Sequence, residues 1–373
     1  MKDKKTPLMK DSLGPAAIGR LAAALAAADP DFPAATFRRK ARAGLENLEL
    51  KERVAHVIGT LDVCLPADYG KALALVRRAG DGFPASDPVG APDGFAAWPL
   101  IDWVGTRGLD HFDASLAALR GLTGLFSAEF AVRPFLIANP ERALTHFHRW
   151  TRDPDEHVRR LASEGSRPRL PWGRQLPMFR EDPAPVLALL EHLKDDPAEY
   201  VRRSVANNLN DIAKDHPAET VRVCRRWIKG APVPRSRLVR HALRTLVKQG
   251  DPAALKVLGF TTRPEVAAEL ILTASAVCIG DTLDFAVRLA SRSRRAQKLV
   301  VDYALHLCRA NGRMGRKVFK LRTLDLAGGQ TVVLRKSQSF APRSVRRYYP
   351  GRHRIELLVG GRSLAEAFFE VTG

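Results

Sequence analysis

The sequence predicts a mainly α protein: a HEAT-like helical-repeat solenoid followed by a small C-terminal all-β domain. Three observations carry this. Apolar residues recur at three- and four-residue spacing over roughly residues 12–310. The middle of the chain holds an internal repeat with an offset of 43 residues. After Gly312 the pattern changes to strand-length apolar runs punctuated by glycine pairs. The predicted domains are therefore 1–314, helical, and 315–373, β.

The elements follow in order. Lys2, Lys4 and Lys5 precede an alanine-rich run from Leu21 to Ala28, a faint imitation of a secretion signal. Gly19 and Arg20 interrupt it and Asp29-Pro30 ends it, so a short helix is expected instead. Over 48–65, Leu48, Leu50, Val54, Val57, Ile58 and Leu61 share one helical face, with Glu46, Glu49, Lys51, Glu52 and Arg53 largely opposite. Residues 81–99, rich in Gly, Pro and Asp, read as a long loop, and five prolines between 165 and 185 break helix again.

The repeat aligns Asp153-Pro154-Asp155-Glu156-His157-Val158-Arg159-Arg160 with Asp196-Pro197-Ala198-Glu199-Tyr200-Val201-Arg202-Arg203. A weaker copy, Ser236-Arg237-Leu238-Val239-Arg240-His241, follows. Asp-Pro suits a helix start, with Asp as cap and Pro in the first turn. Stacking would then turn Arg159, Arg160, Arg202, Arg203, Arg240 and Arg244 into a row along a concave face. In the tail, 318–321 and 330–334 read as strands joined by a Gly328-Gly329 hairpin turn. Residues 353–359 and 367–371 read as a second pair about Gly360-Gly361. A sandwich this small must lean on the helical part.

Charge narrows the partners. Lys and Arg number 60 against 40 Asp and Glu, a formal charge of +20, so a polyanion is the first expected partner. The tail is basic as well, Arg346-Arg347-Tyr348-Tyr349-Pro350-Gly351 reading as a loop able to enter a groove. Cys64, Cys224, Cys278 and Cys308 stand far apart and form no CxxC pair, which predicts buried thiols in a reducing cytoplasm rather than disulfides or zinc. No apolar run reaches the roughly 18 residues of a membrane span. There is no P-loop, GxSxG or HExxH motif and no His-Glu dipeptide, so neither a metal nor another cofactor is expected.

In so basic a chain the acidic residues stand out. Glu129 lies between apolar neighbours in Ala128-Glu129-Phe130, Glu164 lies one turn after Arg160, and Trp172 is set between Pro171 and Gly173. Spacing alone reads each glutamate as a salt bridge to a nearby arginine, and Trp172 equally as a core aromatic. A sharper reading is chemical. Carboxylates beside a sugar stabilise the oxocarbenium-like transition state of N-glycosidic cleavage, and an aromatic ring can contact a cationic base or the deoxyribose.

Two long strings carry a resemblance. The first is His157-Val158-Arg159-Arg160-Leu161-Ala162-Ser163-Glu164-Gly165-Ser166-Arg167-Pro168-Arg169-Leu170-Pro171-Trp172. The second runs from Tyr200-Val201-Arg202-Arg203 through Asn207-Asn208-Leu209-Asn210-Asp211 to His216-Pro217. Both resemble the AlkC branch of the HEAT-repeat alkylbase DNA glycosylases, relatives of AlkD. Weaker likeness, at 109–112, 128–135, 346–351 and 364–367, extends it over nearly the whole chain.

The resemblance implies that the tail is an immunoglobulin-like domain contacting DNA. It implies a monofunctional, metal-free glycosylase that removes cationic bases such as 3-methyladenine and 3-methylcytosine from duplex DNA. It places Glu129 and Glu164 in the carboxylate roles and Trp172 in the aromatic role; AlkD-type enzymes use aspartate, from which glutamate departs. Arg169, Asn207 and Asn208 join the arginine row, Arg346 and Arg347 as expected DNA contacts. A monomer acting at the nucleoid is expected. Residue physics alone stops at a basic helical-repeat protein that binds nucleic acid, and a non-enzymatic scaffold would share the arginines without needing Glu129, Glu164 or Trp172. A protein–protein scaffold would show mixed charge and hydrophobic anchors, against which the net charge argues.

Overall fold

A computed structural model describes residues 8–83, 95–342 and 347–373. Arg346 and most of the predicted 81–99 loop lie outside the described residues. By internal contacts the chain divides into two compact units, Met1–Asp215 and His216–Gly373.

The first unit is helical. In order it holds α1 (Pro15–Ala28), α2 (Ala34–Arg42), α3 (Leu50–Cys64), α4 (Tyr69–Asp81), α5 (Trp98–Arg107), α6 (Phe112–Leu122), α7 (Arg133–Ala138), α8 (Pro140–Trp150), α9 (Glu156–Gly165), α10 (Pro177–Glu181), α11 (Ala184–Leu193) and α12 (Glu199–Ile212). α1 packs on α2, α3 on α5, α7 on α8 and α11 on α12. α9 sits centrally, against α8, α11 and α12. α3 spans the stretch expected to be one helix and buries Val54, Val57, Ile58 and Leu61 as predicted. Arg53, expected on the solvent side, is buried instead and donates to the carbonyls of Leu48 and Lys10.

The repeat is real, but the aspartates of its Asp-Pro pairs, Asp153 and Asp196, do not cap the helices; Asp155 caps α9 instead. α9 and α12 begin three residues after Asp153 and Asp196. Each aspartate accepts the backbone N–H two residues on, from Asp155 at 3.0 Å and Ala198 at 2.9 Å. These are Asx turns, which orient the chain ahead of the helix. Each aspartate also receives an arginine from the preceding helix pair: Arg120 Nε on Asp153 at 2.6 Å, Arg159 Nε on Asp196 at 2.6 Å. The repeated motif thus builds a rung between successive pairs.

The second unit begins with α13 (Pro217–Ile228), α14 (Val233–Ala242), α15 (Arg244–Gln249) and α16 (Pro252–Val257). Among the described residues eight strands follow: β1 (Val266–Leu272), β2 (Ala276–Cys278), β3 (Thr282–Ser291), β4 (Gln297–Cys308), β5 (Met314–Leu326), β6 (Thr331–Ser339), β7 (Gly351–Val359) and β8 (Arg362–Thr372). They form a sandwich of two sheets, β1-β3-β6 and β2-β8-β7-β4-β5. The inner faces bury Leu283, Phe285, Val287 and Leu289 against Val301, Tyr303, Leu305, Ile355 and Leu357.

The β region therefore starts near 266, not 315, and the tail is a full sandwich. β7 and β8 pair as the expected hairpin. Gly328-Gly329 does not make one, because β5 and β6 belong to different sheets and the turn carries the chain from one to the other. The sandwich leans on its own helices: Leu255 and Phe260 pack on Val300 of β4. At that seam Gly250 and Gly361, both at positive φ, touch so closely that a Cβ on Gly361 would sit 2.2 Å from Gly250 Cα. Of the four thiols, Cys64 and Cys224 are buried, but Cys278 is exposed on β2 and Cys308 half-buried, so burial of all four was not met.

Candidate active site

Three segments of the first unit converge: residues 127–132 before α7, α9 with the loop 166–176 that follows it, and α12. α9 carries Arg160 and Glu164 one turn apart, so both side chains leave the same face. The Arg160 guanidinium lies 2.9 Å from Glu129 Oε2 and 3.7 Å from Glu164 Oε1. It also donates to Ser127 Oγ at 2.7 Å and lies 4.7 Å over the Tyr200 ring. Burial pulls its pKa down, but Glu164 and Glu129 outweigh that and hold it above its ordinary value.

Glu164 is 5% exposed and fully engaged. Oε1 accepts from Arg167 at 2.6 Å and Oε2 from Ser204 Oγ at 2.6 Å. Arg167 continues the chain of charges onto Asp211, at 2.8 Å, which Lys214 meets at 2.9 Å. The result is an alternating array, Glu129–Arg160–Glu164–Arg167–Asp211, drawn from three segments. In this array a guanidinium stands between each successive pair of the three carboxylates.

Trp172 is the opposite case, 60% exposed and held at φ +64°. Gly173 N–H bonds the carbonyl of Leu170 at 3.2 Å, so residues 170–173 form a tight turn with Pro171 and Trp172 at its centre. A positive φ at the second central position normally calls for glycine or asparagine. Among the described residues Trp172 is the single non-glycine in that region. Such strain persists where surroundings over-determine it. Here the determinant is Arg133 at the start of α7, wholly buried, whose guanidinium donates to the carbonyls of Gly165 (2.9 Å), Arg167 (3.0 Å) and Arg174. Burial, and then the neighbouring Arg167, press the Arg133 pKa down to about 10. Lys51 of α3 donates to the Trp172 carbonyl.

The expected DNA contacts divide. Arg159 forks onto Asp196 and reaches the carbonyls of Asp153 and Pro154; Arg202 makes the equivalent carbonyl bonds to Asp196 and Pro197. Arg169 forks onto Asp215 at 2.6 and 2.8 Å. Asn208 is fully buried and donates to Ser163 O at 2.8 Å, tying α12 to α9. Asn207 is half-buried. Arg203 is exposed and makes an i,i+4 pair with Glu199 at 3.1 Å. In the second unit Arg347 is exposed, and Arg240 and Arg244 line a small cleft with Lys248, Lys320 and Asp302. Arg133, Arg167, Asp211 and Ser204 were not singled out from sequence, although three of them lie inside or directly beside the quoted strings.

Among the described residues no three His, Cys, Asp or Glu side chains converge as a metal site, and no helix is long and apolar enough to cross a membrane. A model for the "C-terminal Ig-like domain" of uncharacterised protein YhaZ matches residues 266–373, the extent of the sandwich. YhaZ of Bacillus subtilis, an uncharacterised protein, is 37% identical over 325 residues, 87% of this chain and 88% of its own. A solved structure of the Pseudomonas fluorescens alkylpurine DNA glycosylase AlkC, bound to DNA containing an abasic site analogue, is 37% identical. It aligns with a TM-score of 0.90 over 98% of this chain and all of that one. The chain belongs to the AlkC family. The mainly α fold with an immunoglobulin-like C-terminal domain is thus the AlkC fold, and the array and the Trp172 turn sit within it.

Proposed function

We propose that this AlkC-family chain is a monofunctional DNA glycosylase that hydrolyses the N-glycosidic bond of cationic N-alkylated bases in duplex DNA. The observation that carries the reading is the pairing of two glutamates from different segments around one guanidinium, in a unit that also holds a tryptophan in strain to keep it exposed. AlkC bound to abasic-analogue DNA supports duplex DNA as the partner. The surplus of 20 positive charges supports it independently.

The chemistry follows from the leaving group. An alkylated ring nitrogen is already cationic, so the C1′–N bond breaks with its electron pair passing to nitrogen and the base departs neutral. Positive charge develops on the sugar, and water adds to C1′ while losing its proton. Glu164, with both oxygens occupied, serves as the fixed negative charge facing that sugar. Glu129 is the less buried of the two and accepts through Oε2, so it is assigned to orient the water and take its proton. Trp172 contacts the sugar or the cationic base. Arg203, Arg240, Arg244 and Arg347 are assigned to phosphates, with Arg346 of the same basic loop, and the immunoglobulin-like domain adds DNA contacts of its own. The protein acts as a monomer at the nucleoid.

The test is release of free base from methylated duplex DNA by the wild type beside Glu164→Gln and Glu129→Gln. Release by the wild type alone, with duplex binding kept in both variants, supports the assignment. Release at the wild-type rate by Glu164→Gln removes Glu164 from the chemistry. Tight, salt-sensitive duplex binding with no release from the wild type would make the chain a nucleic-acid-binding module.

A further inference from the structure

Tyr200, in the first turn of α12, enters no step of the reaction proposed above. It stands where the preceding repeat has His157, and the two rings meet edge to face with centroids 5.7 Å apart. The side chain is 39% exposed, so it marks the outer limit of the charge array rather than its interior.

Its second contact is with Arg160, whose guanidinium carbon lies 4.7 Å from the ring centroid. Both contacts are made by the ring, and neither uses the hydroxyl. Burial raises the phenol pKa above its ordinary value; Arg160 opposes the rise, and Glu129 and Glu164 add to it. The ring is therefore neutral at physiological pH and lies within the field of all three charges.

The donors of Arg160 serve Ser127 Oγ at 2.7 Å, Glu129 at 2.9 Å and, at a longer 3.7 Å, Glu164. The π face of Tyr200 attracts the same cation without using a donor. Arg203, the equivalent of Arg160 in the next repeat, is exposed and pairs only along its own helix face, with Glu199. The difference matters when DNA arrives. A phosphate accepts from arginine as readily as a carboxylate does, and a duplex brings many. Arg160 drawn out to a phosphate would leave Glu129 and Glu164 with no cation between them.

We propose that Tyr200 is a positioning residue, whose ring holds Arg160 between Glu129 and Glu164 and withholds it from the DNA phosphates. The effect on excision rests on the glycosylase reading above; the hold on Arg160 rests on the contacts alone. The repeat thus spends one arginine on the array and its counterpart, Arg203, on the backbone.

The test compares the intact wild type with Tyr200→Phe and Tyr200→Ala. Single-turnover base release is measured on methylated duplex, and the salt dependence of affinity on undamaged duplex. Tyr200→Phe keeps the ring. Tyr200→Ala removes it at an exposed helical position, where alanine suits the backbone. Tyr200→Ala should slow release about tenfold, the order that one cation–π contact supplies. It should also steepen the salt slope by about one phosphate's share, as Arg160 joins the DNA. Tyr200→Phe should release base within about threefold of the wild-type rate and keep the wild-type slope. A merely structural role would slow release without adding a phosphate contact. A Tyr200→Ala slope equal to the wild type's therefore overturns the proposal, whatever the rate. So does a Tyr200→Phe variant as slow as Tyr200→Ala, which would place the function on the hydroxyl. Slopes in the expected order with a wild type that releases no base keep the hold on Arg160 and sink the glycosylase reading.

Discussion

The Arg159 guanidinium closes a fork on Asp196, with Nε 2.6 Å from one carboxylate oxygen and Nη2 3.1 Å from the other. Its remaining donor serves the carbonyls of Asp153 and Pro154, so one side chain joins the turns that open two successive repeats. The hydrogen bonds it donates to Asp196 hold the Arg159 pKa above its ordinary value.

Arg159→Ala should therefore unfold the protein early. Removing one partner of a buried pair strands the other charge and costs about 3–5 kcal/mol. Denaturant midpoints would read this directly, and a midpoint equal to the wild type's would deny the rung any structural weight.

Arg203→Ala makes the contrasting variant. Its side chain is exposed, so stability should hold while duplex affinity falls and the salt slope flattens by about one phosphate's share. An unchanged slope would place Arg203 away from DNA.

Trp172→Gly should separate folding from function. Glycine relieves the positive φ at residue 172, so the melting temperature should stay or rise, while excision is lost. A large drop in melting temperature would recast Trp172 as a packing residue.

Asp102 predicts a pH signature. Its pKa rises from 3.8 to about 7 on folding, so between those values the folded state binds the extra proton. Stability from this group is then full below about pH 4 and is lost as pH rises toward 7. Across that window Asp102→Asn should gain on the wild type by on the order of 3–4 kcal/mol. Parallel stability curves for the two proteins would contradict this.

Gly361→Ala should loosen the sandwich from α15, because the added methyl would overlap Gly250 backbone on which nothing can move aside. Amide exchange in β7 and β8 should quicken, and exchange rates matching the wild type's would show that the seam carries no load.

Much of the helical architecture was legible because amphipathic spacing records which face is buried. The strands over 266–308 were harder to read for two reasons. β4 is buried on both faces, Leu299 through Leu305, and so presents a mostly apolar run with no period, broken by the buried Asp302. β3 does alternate, with Leu283, Phe285, Val287 and Leu289 inward, and that signal was masked by the helical pattern preceding it.

In the site, Glu129, Glu164 and Trp172 were visible as exceptions to a basic background. The arginine row misled because residues adjacent on a helix point about 100° apart. Arg159 and Arg202 turn to the turns that open the helices, whereas Arg160 and Arg203, equivalent in the repeat, diverge into a buried clasp and an exposed side chain. Arg133 and Asp211 owe their importance to partners more than thirty residues away, which spacing does not record.

Arg133 holds the Trp172 loop by main-chain oxygens alone. The path of that loop is therefore insulated from most of its own side chains, as long as the tight turn at 170–173 survives. Residues such as Arg174 can drift without moving the backbone that displays the tryptophan. The fold thereby offers evolution a tip whose chemistry is adjustable and whose position is not.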